Sequence, residues 1–370
     1  MKKMVAIAGL AILWGGAAQG ASSQNVPALK GVFKADFLIG GALNRTLVAG
    51  RDPKAAAITE KHFNTATAEN DLKWQRVHPQ PHQYDWDPAD SYVAFCEENE
   101  MAPIGHCLVW HSQVPRWVFR DDSGNDLTRD ALLGRMKQHI MTVVGRYSGR
   151  IKGWDVVNEA LNEDGTLRNT PWLRIISEGS HDKRYDHIEN AFRWAHEADP
   201  DTELYYNDYG LETSKAKCDG AVAIIEHLKS KGVRIDGVGI QLHASLTHPS
   251  AEGLEYAITS LAATGVKVMI TELDIRLRTR GYRGADVRWI NRRNTAVSDA
   301  DEAKAQEQLA DKYAEIFSIL LKHREDISRV TFWGVYDGAS WIGGSPLLFD
   351  RNYQPKEAFF AVVRAAQGSH

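Results

Sequence analysis

Residues 237–274 read GVGIQLHASLTHPSAEGLEYAITSLAATGVKVMITELD. A short apolar run at residues 237–243 precedes a helical pattern at 249–263, and a second apolar run follows at 266–273. Short apolar runs bounded by turn residues are typical of buried strands. The stretch therefore predicts one strand–helix–strand unit of a parallel sheet.

The same alternation continues along the whole chain. Strand-like runs occupy residues 37–42, 65–70, 102–110, 153–159, 203–208, 237–243, 266–273 and 330–336. Helical patterns between and after them include residues 52–63, 129–147, 182–198, 214–231, 249–263, 301–322 and 355–366. Eight such units predict a single α/β domain, a (β/α)8 TIM barrel. A doubly wound sheet is the alternative, but no glycine-rich phosphate turn follows the first strand.

Composition excludes several classes of protein. The 370 residues are 43% hydrophobic and 25% charged, which excludes a disordered chain. The formal net charge of −4 gives no general attraction for nucleic acid or an anionic membrane, so we expect neither as a partner. Three cysteines, Cys96, Cys107 and Cys218, are too few to stabilise a chain of this length by disulfides, and we interpret them as small buried hydrophobic residues.

The amino terminus has the layout of a secretory signal peptide. Two lysines precede an apolar run at residues 4–14, and small residues follow up to Gly20. A membrane anchor is the alternative, but this run is about half the ~20 residues that a spanning helix needs. We therefore expect a signal peptide over residues 1–20, a linker over 21–34 and the catalytic barrel over 35–370. The location follows as secreted or periplasmic.

Polar side chains end five of the expected strands. Apolar runs give way to the pairs or triplets Glu69-Asn70, Trp110-His111, Asn158-Glu159, Gln241-Leu242-His243 and Glu272-Leu273-Asp274. In a barrel of parallel strands, the carboxyl ends meet at one face. The pattern predicts a polar cleft at that face.

Two of these residues are carboxylates at the boundary between core and cleft. Glu159 and Glu272 each follow an apolar run, and partly buried carboxylates have shifted pKa values. One protonated and one ionised carboxyl group across a cleft are the minimum apparatus for cleaving a glycosidic bond. A structural ion pair is the alternative for either residue alone, but the pair within a polar rim favours catalysis.

The residues around these carboxylates fit the same interpretation. Asn158 offers an amide for a sugar hydroxyl, and it needs a bend at the strand end to reach the cleft beside Glu159. His243 ends the strand before Glu272, and Asp274 lies two residues beyond it. A chain of hydrogen bonds through these three side chains would hold a nucleophile ionised and oriented.

Seven colinear motifs resemble glycoside hydrolase family 10, the endo-β-1,4-xylanases. WDVVNEA (154–160) and GVKVMITELD (265–274) resemble its acid/base and nucleophile signatures. The other matches are TAENDLKW (67–74), GHCLVWHSQ (105–113), YNDY (206–209), QLH (241–243) and FWG (332–334) with SW (340–341). The resemblance covers about residues 35 to 365 and implies retaining hydrolysis of xylan by double displacement, with the two carboxyl groups ~5–5.5 Å apart.

The resemblance also implies a role for each matching residue. Glu159 is expected to be the acid/base and Glu272 the nucleophile, with His243 and Asp274 orienting Glu272. The expected ligands of the glycone sugars and the reacting ring are Glu69, Asn70, Lys73, His106, Trp110, Gln113, Asn158 and Gln241. Tyr209 is expected on the aglycone side. Trp333 and Trp341 are expected to form an aromatic lid and wall whose bulk near the sugar C5 disfavours glucose.

The chain departs from the family pattern at a few positions. Cys107 stands where many relatives have Thr, and Gly210 stands where Asn is common; Tyr336 and Ala339 vary the last motif. Residues 276–293 hold seven arginines, from Arg276 to Arg293, interleaved with Tyr282 and Trp289. One interpretation is a solvated loop. The sharper hypothesis is a contact with the uronic acid branches of decorated xylan.

Three other functions remain as alternatives. A metal-dependent barrel hydrolase is disfavoured because no His-X-His or His-Glu-X-X-His motif occurs, and we expect neither a metal nor a cofactor. A noncatalytic xylan-binding protein would be expected to lack one carboxylate. A β-1,4-glucanase or cellobiohydrolase-type activity on the same scaffold is the nearest rival. The expected partners are xylan and xylo-oligosaccharides, and the expected oligomeric state is a monomer.

Overall fold

The computed structural model describes residues 26–277 and 299–368. The expected signal peptide lies outside these residues. So does most of the arginine-rich segment, of which only Arg276 and Leu277 are described. Among the described helices, none is both long enough and apolar enough to cross a membrane.

Nine strand segments form one closed parallel barrel. They are β1 (Leu38–Leu43), β2 (Thr65–Ala68), β3 (Ala102–Val109), β4 (Gly153–Asn158), β5 (Glu203–Asp208), β6 (Gly237–Ile240), β7 (His243–Ser245), β8 (Lys267–Arg276) and β9 (Ile327–Phe332). The order β6-β5-β4-β3-β2-β1-β9-β8-β7 is closed by pairing of β6 with β8. β6 and β7 are two parts of one strand, which is interrupted where Leu242 has a φ of 55°. The barrel therefore has eight strands, and the predicted (β/α)8 fold is confirmed.

Helices surround the barrel. They are α1 (Leu29–Val32), α2 (Arg45–Val48), α3 (Pro53–His62), α4 (Trp74–Val77), α5 (Asp87–Glu98), α6 (Arg129–Arg146), α7 (Pro171–Ser177), α8 (Asp186–Ala198), α9 (Lys215–Ser230), α10 (Ala251–Ala262), α11 (Asp299–Lys322) and α12 (Glu357–Gln367). Short 3-10 helices lie at Arg116–Phe119, His181–Lys183 and Asp337–Ala339. Several α-helices begin where the sequence predicts, because side chains such as Asp52, Ser214 and Ser250 accept a hydrogen bond from the first turn.

The strand ends differ from the expected ones in ways that shape the cleft. β2 ends at Ala68, so Glu69 and Asn70 lie beyond the sheet. β9 ends at Phe332 rather than at residue 336, because the chain turns at Gly334, whose φ is 139°. Both differences place polar and aromatic side chains in loops above the barrel instead of in its wall.

The expected linker over residues 21–34 needs a correction. Residues 29–32 form α1, and Leu29 and Phe33 are fully buried in the main hydrophobic core. Two buried apolar side chains within five residues stabilise this segment against the barrel by burial of apolar surface. The folded domain therefore begins before residue 35.

The core has two parts. The larger part lies between the sheet and the helices, and a smaller part inside the barrel consists of Ile104, Tyr205 and Met269. Cys96, Cys107 and Cys218 are buried and free, as expected of small hydrophobic residues. The barrel interior is thus packed at its middle, and the cleft is restricted to its carboxyl end.

Three buried imidazoles make the fold sensitive to acid. Burial lowers the pKa of His62 and of His187 from 6.5 to about 4, and it lowers that of His139 well below 6.5. The unfolded chain binds protons at His62 and His187 as the pH falls through about 6.5, whereas the folded chain does not until about pH 4. The stability that they contribute is therefore lost as the pH falls from 7 towards 4.

We predict that each of His62 and His187 lowers the free energy of unfolding by about 2 kcal/mol between pH 7 and pH 5. Urea unfolding measures the free energy of unfolding at both pH values. Between pH 7 and pH 5 this free energy is expected to fall less in His187→Gln than in the wild type. His196→Gln, on the exposed face of the same helix α8, serves as the control and is expected to behave as the wild type. An unchanged pH dependence in His187→Gln would contradict the assignment.

Candidate active site

Glu272 lies in β8 with its side chain held at both oxygens. Its Oε2 is 3.1 Å from His243 Nε2, and its Oε1 accepts a hydrogen bond of 3.0 Å from Asn207 Nδ2. The residue is only 5% exposed. Because both oxygens have a donor beside them, the carboxyl group is fixed in one orientation and is favoured as a carboxylate.

His243 also faces a second carboxylate. Its Nδ1 is 3.1 Å from Asp274 Oδ1, and Asp274 Oδ2 accepts a hydrogen bond of 2.7 Å from Trp341 Nε1. The parallel pairing of β7 with β8 sets His243 opposite Asp274. The imidazole therefore lies between two buried carboxylates, and an indole fixes the outer one.

The electrostatics of Glu272, His243 and Asp274, which we call the trio, follow from burial and charge. Burial alone would lower the pKa of His243, but the negative charges of Asp274 and Glu272 raise it to about 10. Burial would raise the pKa of Glu272, but the hydrogen bond from His243 and the positive charges of nearby His106, His243 and Lys73 lower it. The trio is thus an imidazolium between two carboxylates at neutral pH.

Asn207, at the end of β5, is oriented towards Glu272 by its own neighbours. Its Oδ1 accepts a hydrogen bond of 2.7 Å from the hydroxyl of Thr271, so its Nδ2 points at Glu272. A Cβ atom at Gly239 would lie 2.2 Å from Asn207 Oδ1. Glycine is therefore required at residue 239 for the amide to occupy this position.

Glu159 follows β4 where the main chain turns sharply. Its φ is 56°, in the left-handed region, and its N–H donates to the carbonyl of Asn207 over 2.9 Å. Its Oε1 accepts a hydrogen bond of 3.1 Å from Gln241 Nε2. The carboxyl group is 6% exposed and contacts a neutral amide here, a different environment from that of Glu272.

The same turn brings Asn158 to the cleft. With its amide turned so that both atoms have partners, Asn158 donates to the carbonyl of Asn207 over 3.1 Å and accepts from Trp110 Nε1 over 3.3 Å. The ends of β3, β4 and β5 are therefore joined through side chains of the cleft.

A polar group above β2 forms one wall of the cleft. Asn70 Nδ2 donates to Glu69 Oε1 over 3.2 Å, and Lys73 Nζ donates to Asn70 Oδ1 over 3.1 Å. The Lys73 ammonium also lies 5.1 Å from the ring centre of Trp110 and 6.0 Å from that of Trp333. Burial raises the pKa of Glu69, and Lys73 and Asn70 oppose this rise.

Aromatic rings continue this wall towards Glu272. The ring centre of Trp333 is 5.5 Å from that of His106, and Trp341 is 5.0 Å from His243. His106 is held from below by Asp155, whose Oδ2 lies 2.8 Å from His106 Nδ1. The flat apolar faces with polar edges are suited to the rings of a sugar chain.

Tyr209 lies on the other side of Glu159. Its hydroxyl accepts a hydrogen bond of 2.9 Å from Arg168, and the same guanidinium donates to the carbonyl of Glu159 over 3.1 Å. The Lys217 ammonium lies 3.4 Å from the centre of the Tyr209 ring. Arg168 therefore connects the tyrosine directly to the turn that carries Glu159.

This arrangement holds the groups that acid–base and nucleophilic chemistry require. Glu272 is a buried carboxylate with fixed oxygens, and Glu159 is a carboxyl group with an uncharged partner. The cleft between them is lined by indoles and amides, which bind neutral hydroxylated rings.

The family model for glycosyl hydrolase family 10 matches residues 28–365. The chain belongs to this family. Endo-1,4-beta-xylanase A of Xylanibacter ruminicola is 41% identical over 358 residues, which are 93% of this chain and 95% of that protein. The chain is accordingly a glycoside hydrolase.

Solved structures lead to the same family 10 assignment. An endoxylanase of this family retrieved from a sugarcane soil metagenome has a TM-score of 0.82 and 39% identity, and the match covers 92% of this chain and 100% of that one. The intracellular xylanase TsXylA of Thermoanaerobacterium saccharolyticum has a TM-score of 0.80 and 36% identity, covering 92% and 99%.

All the residues expected in the family 10 site lie in the described part of the chain, either within the barrel strands or in the segments that follow them. The contacts given above connect every one of them except Gln113. That residue has a φ of 45° and lies three positions after Trp110, where its carbonyl accepts from the N–H of Gln75 over 2.9 Å. Its buried Oε1 has no hydrogen-bond partner among the described residues.

Sequence reasoning missed Asn207, Arg168 and Lys217. Asn207 stands in a quoted motif and ends a strand, so its strand-end position was a usable signal. Arg168 lies in a loop and Lys217 in a helical pattern, and neither position distinguishes a site residue from a solvated cation. Their roles depend on contacts with Tyr209 that only the folded chain forms.

We predict that His243→Gln moves the acidic limb of the pH profile of kcat/KM to higher pH. Without the imidazolium, burial raises the pKa of Glu272, so this carboxyl group becomes protonated at a pH where the wild type is still active. The measurement is the initial rate of xylo-oligosaccharide hydrolysis between pH 3 and pH 9.

His227→Gln is the matched control for this substitution. His227 also lies beside a carboxylate, with its Nε2 3.3 Å from Glu189 Oε2, but it is half-buried on the outer face of α9. Its substitution is expected to leave the profile unchanged. An unmoved acidic limb in His243→Gln would show that the imidazolium does not hold Glu272 ionised.

Proposed function

We propose that the protein is an endo-β-1,4-xylanase that hydrolyses internal β-1,4-xylosidic bonds of xylan with retention of configuration. Its relatives bear the names of xylanases, and the cleft carries two buried carboxyl groups in different environments. The observation that carries the proposal is the fixation of Glu272 by His243 and Asn207, because a nucleophile must be ionised and aimed before substrate arrives.

The first half-reaction forms a covalent intermediate. Glu272 attacks the anomeric carbon of the reacting xylose while the glycosidic C–O bond breaks. Glu159 gives its proton to the departing oxygen, so the aglycone leaves as an alcohol. Asp274 and His243 hold Glu272 in line during the attack.

The second half-reaction releases the sugar. Glu159, now a carboxylate, accepts a proton from water, and the water oxygen attacks the anomeric carbon from the face that the aglycone left. The bond to Glu272 breaks and its carboxylate is restored. One water is consumed, Glu159 is protonated again, and two inversions give net retention.

The remaining cleft residues bind xylan in this proposal. Glu69, Asn70 and Lys73 bind the glycone sugar one unit from the reacting ring. The reacting ring itself contacts His106, Trp110, Gln113, Asn158 and Gln241. Trp333 and Trp341 cover the glycone side near the sugar C5, and Tyr209 stacks on the aglycone side.

The proposal extends to processing and location. We propose removal of residues 1–20 as a signal peptide and export of the remaining chain as a monomer, with secretion or the periplasm as its destination. The two lysines and the apolar run at residues 4–14 support this. The intracellular relative shows that the family also works inside cells, so a mature chain beginning at Ala21 is the decisive mark of export.

We predict that Glu272→Ala lowers xylan hydrolysis by roughly 10⁴-fold or more, since the attacking atom is removed. Reducing-sugar release from xylan measures the loss, and proton NMR of the wild-type reaction is expected to show the β-anomer first. Glu203→Ala removes a carboxylate at the opposite end of the barrel and serves as the control with retained activity. An α-anomer as first product would contradict the double displacement.

A second prediction concerns the choice between xylan and cellulose. Trp341→Ala opens space beside the sugar C5, so the ratio of activity on soluble cellulose to activity on xylan is expected to rise about 10-fold or more. The ratio matters because loss of the Trp341–Asp274 hydrogen bond lowers both rates. Trp194→Ala, on α8, is the control. An unchanged ratio would mean that this indole does not exclude the hydroxymethyl group of glucose.

A further inference from the structure

A buried charged cluster lies directly behind the turn that carries Glu159. It consists of Tyr206 and Asp208 from β5 and Lys217 from α9, and we call it the Asp208 cluster. All three residues are fully buried, and Lys217 also contacts the ring of Tyr209 in the cleft. An Asp–Lys pair at zero exposure is costly to form, so its retention calls for a specific role.

The cluster contacts the main chain immediately after Glu159. Ala160 N–H donates to the hydroxyl of Tyr206 over 3.2 Å, and that hydroxyl donates to Asp208 Oδ2 over 2.5 Å. Leu161 N–H points at the same Oδ2 over 3.4 Å. Since Glu159 has a left-handed φ of 56°, which is unfavourable for a residue with a Cβ atom, these contacts stabilise the turn.

The other oxygen of Asp208 reaches the aglycone side of the cleft. Its Oδ1 accepts a hydrogen bond of 2.9 Å from the N–H of Tyr209 and lies 3.2 Å from Lys217 Nζ. One carboxylate therefore connects the segment after the acid/base with the segment that carries the aglycone tyrosine. These are the two segments between which the leaving group must depart.

Lys217 supplies the opposite charge. Burial raises the pKa of Asp208 to about 6, and the ammonium of Lys217 counteracts a larger rise. The same ammonium lies 3.2 Å from Glu163 Oε1 and faces the ring of Tyr209. Asp208 therefore carries its charge in the interior at neutral pH, where a carboxylate accepts N–H groups more strongly than a neutral group does.

We propose that Asp208 is a positioning residue for acid catalysis: together with Tyr206 and Lys217, it fixes the carboxyl group of Glu159 relative to the aglycone site at Tyr209. Asp208 exchanges no proton with the substrate and acts only through the main chain. This inference rests on the proposed role of Glu159. A buried network outside the cleft thus provides the alignment that proton transfer to the leaving oxygen requires.

The test compares two substrates that differ in their need for a proton. Hydrolysis of xylotetraose requires protonation of a poor leaving group, whereas a dinitrophenyl β-xylobioside releases a good leaving group without it. In Asp208→Asn, kcat/KM for xylotetraose is expected to fall by about 10–100-fold, and that for the aryl glycoside by less than about 3-fold. Asp→Asn keeps the shape of the side chain and removes its charge.

Asp199→Asn is the matched control. Asp199 is 3% exposed and also accepts two main-chain N–H groups, from Gly149 over 3.0 Å and from Asp201 over 3.2 Å, but it lies away from the cleft at the end of α8. Asp199→Asn is expected to leave kcat/KM unchanged for both substrates. A loss of equal size for both substrates in Asp208→Asn would overturn the proposal, because general damage to the site does not distinguish leaving groups.

Glu159→Ala separates this inference from the proposed function. If Glu159→Ala itself lowers kcat/KM equally for both substrates, the role of Glu159 as the acid is wrong. If Glu159→Ala is selective for xylotetraose and Asp208→Asn is not, only the role of Asp208 is wrong. Should Asp208→Asn fail to fold, Tyr206→Phe carries the same test with a smaller selective loss, and Tyr92→Phe, which also removes a buried hydroxyl, is its control.

Discussion

Glu272, His243 and Asp274 form a row of alternating charges in a space from which water is largely excluded, and much of the cleft is arranged around this row. Two carboxylates so close together repel each other strongly in a medium of low polarity. The imidazolium between them offsets that repulsion, and the two negative charges raise the pKa of His243 to about 10. The charge of Glu272 thus depends on the neighbouring imidazolium of His243.

The barrel strands position the three charged side chains at the distances that their ion pairs require. Pairing of β7 with β8 sets His243 opposite Asp274, and the interruption at Leu242 lets one strand present residues to the cleft on both sides of the break. A similar left-handed turn at Glu159 turns its carboxyl group towards Gln241. Regular strands alternate their side chains between two faces, so these local departures from regularity create the site.

Much of this architecture could be predicted from the sequence. Apolar runs identified eight strands, and the polar carboxyl ends of five of them identified both carboxylates, because the period of a buried strand and the chemistry of its last residue are local properties. Prediction from the sequence fails where tertiary packing determines whether a residue is buried. Leu29 and Phe33 read as part of a linker until a core is present to bury them. Lys217 reads as a helical surface cation, although it is fully buried against Asp208. A buried ion pair leaves no local signature, since its two members are close only in the folded chain.

The three buried cysteines have a consequence for redox chemistry. Burial raises the pKa of the Cys96 and Cys218 thiols to about 12 and that of Cys107 well above its ordinary value. Thiol–disulfide exchange begins with a thiolate, and neither the charge state nor the access needed for it exists in the native chain. We therefore expect the stability of the folded protein to be the same in oxidising and in reducing surroundings.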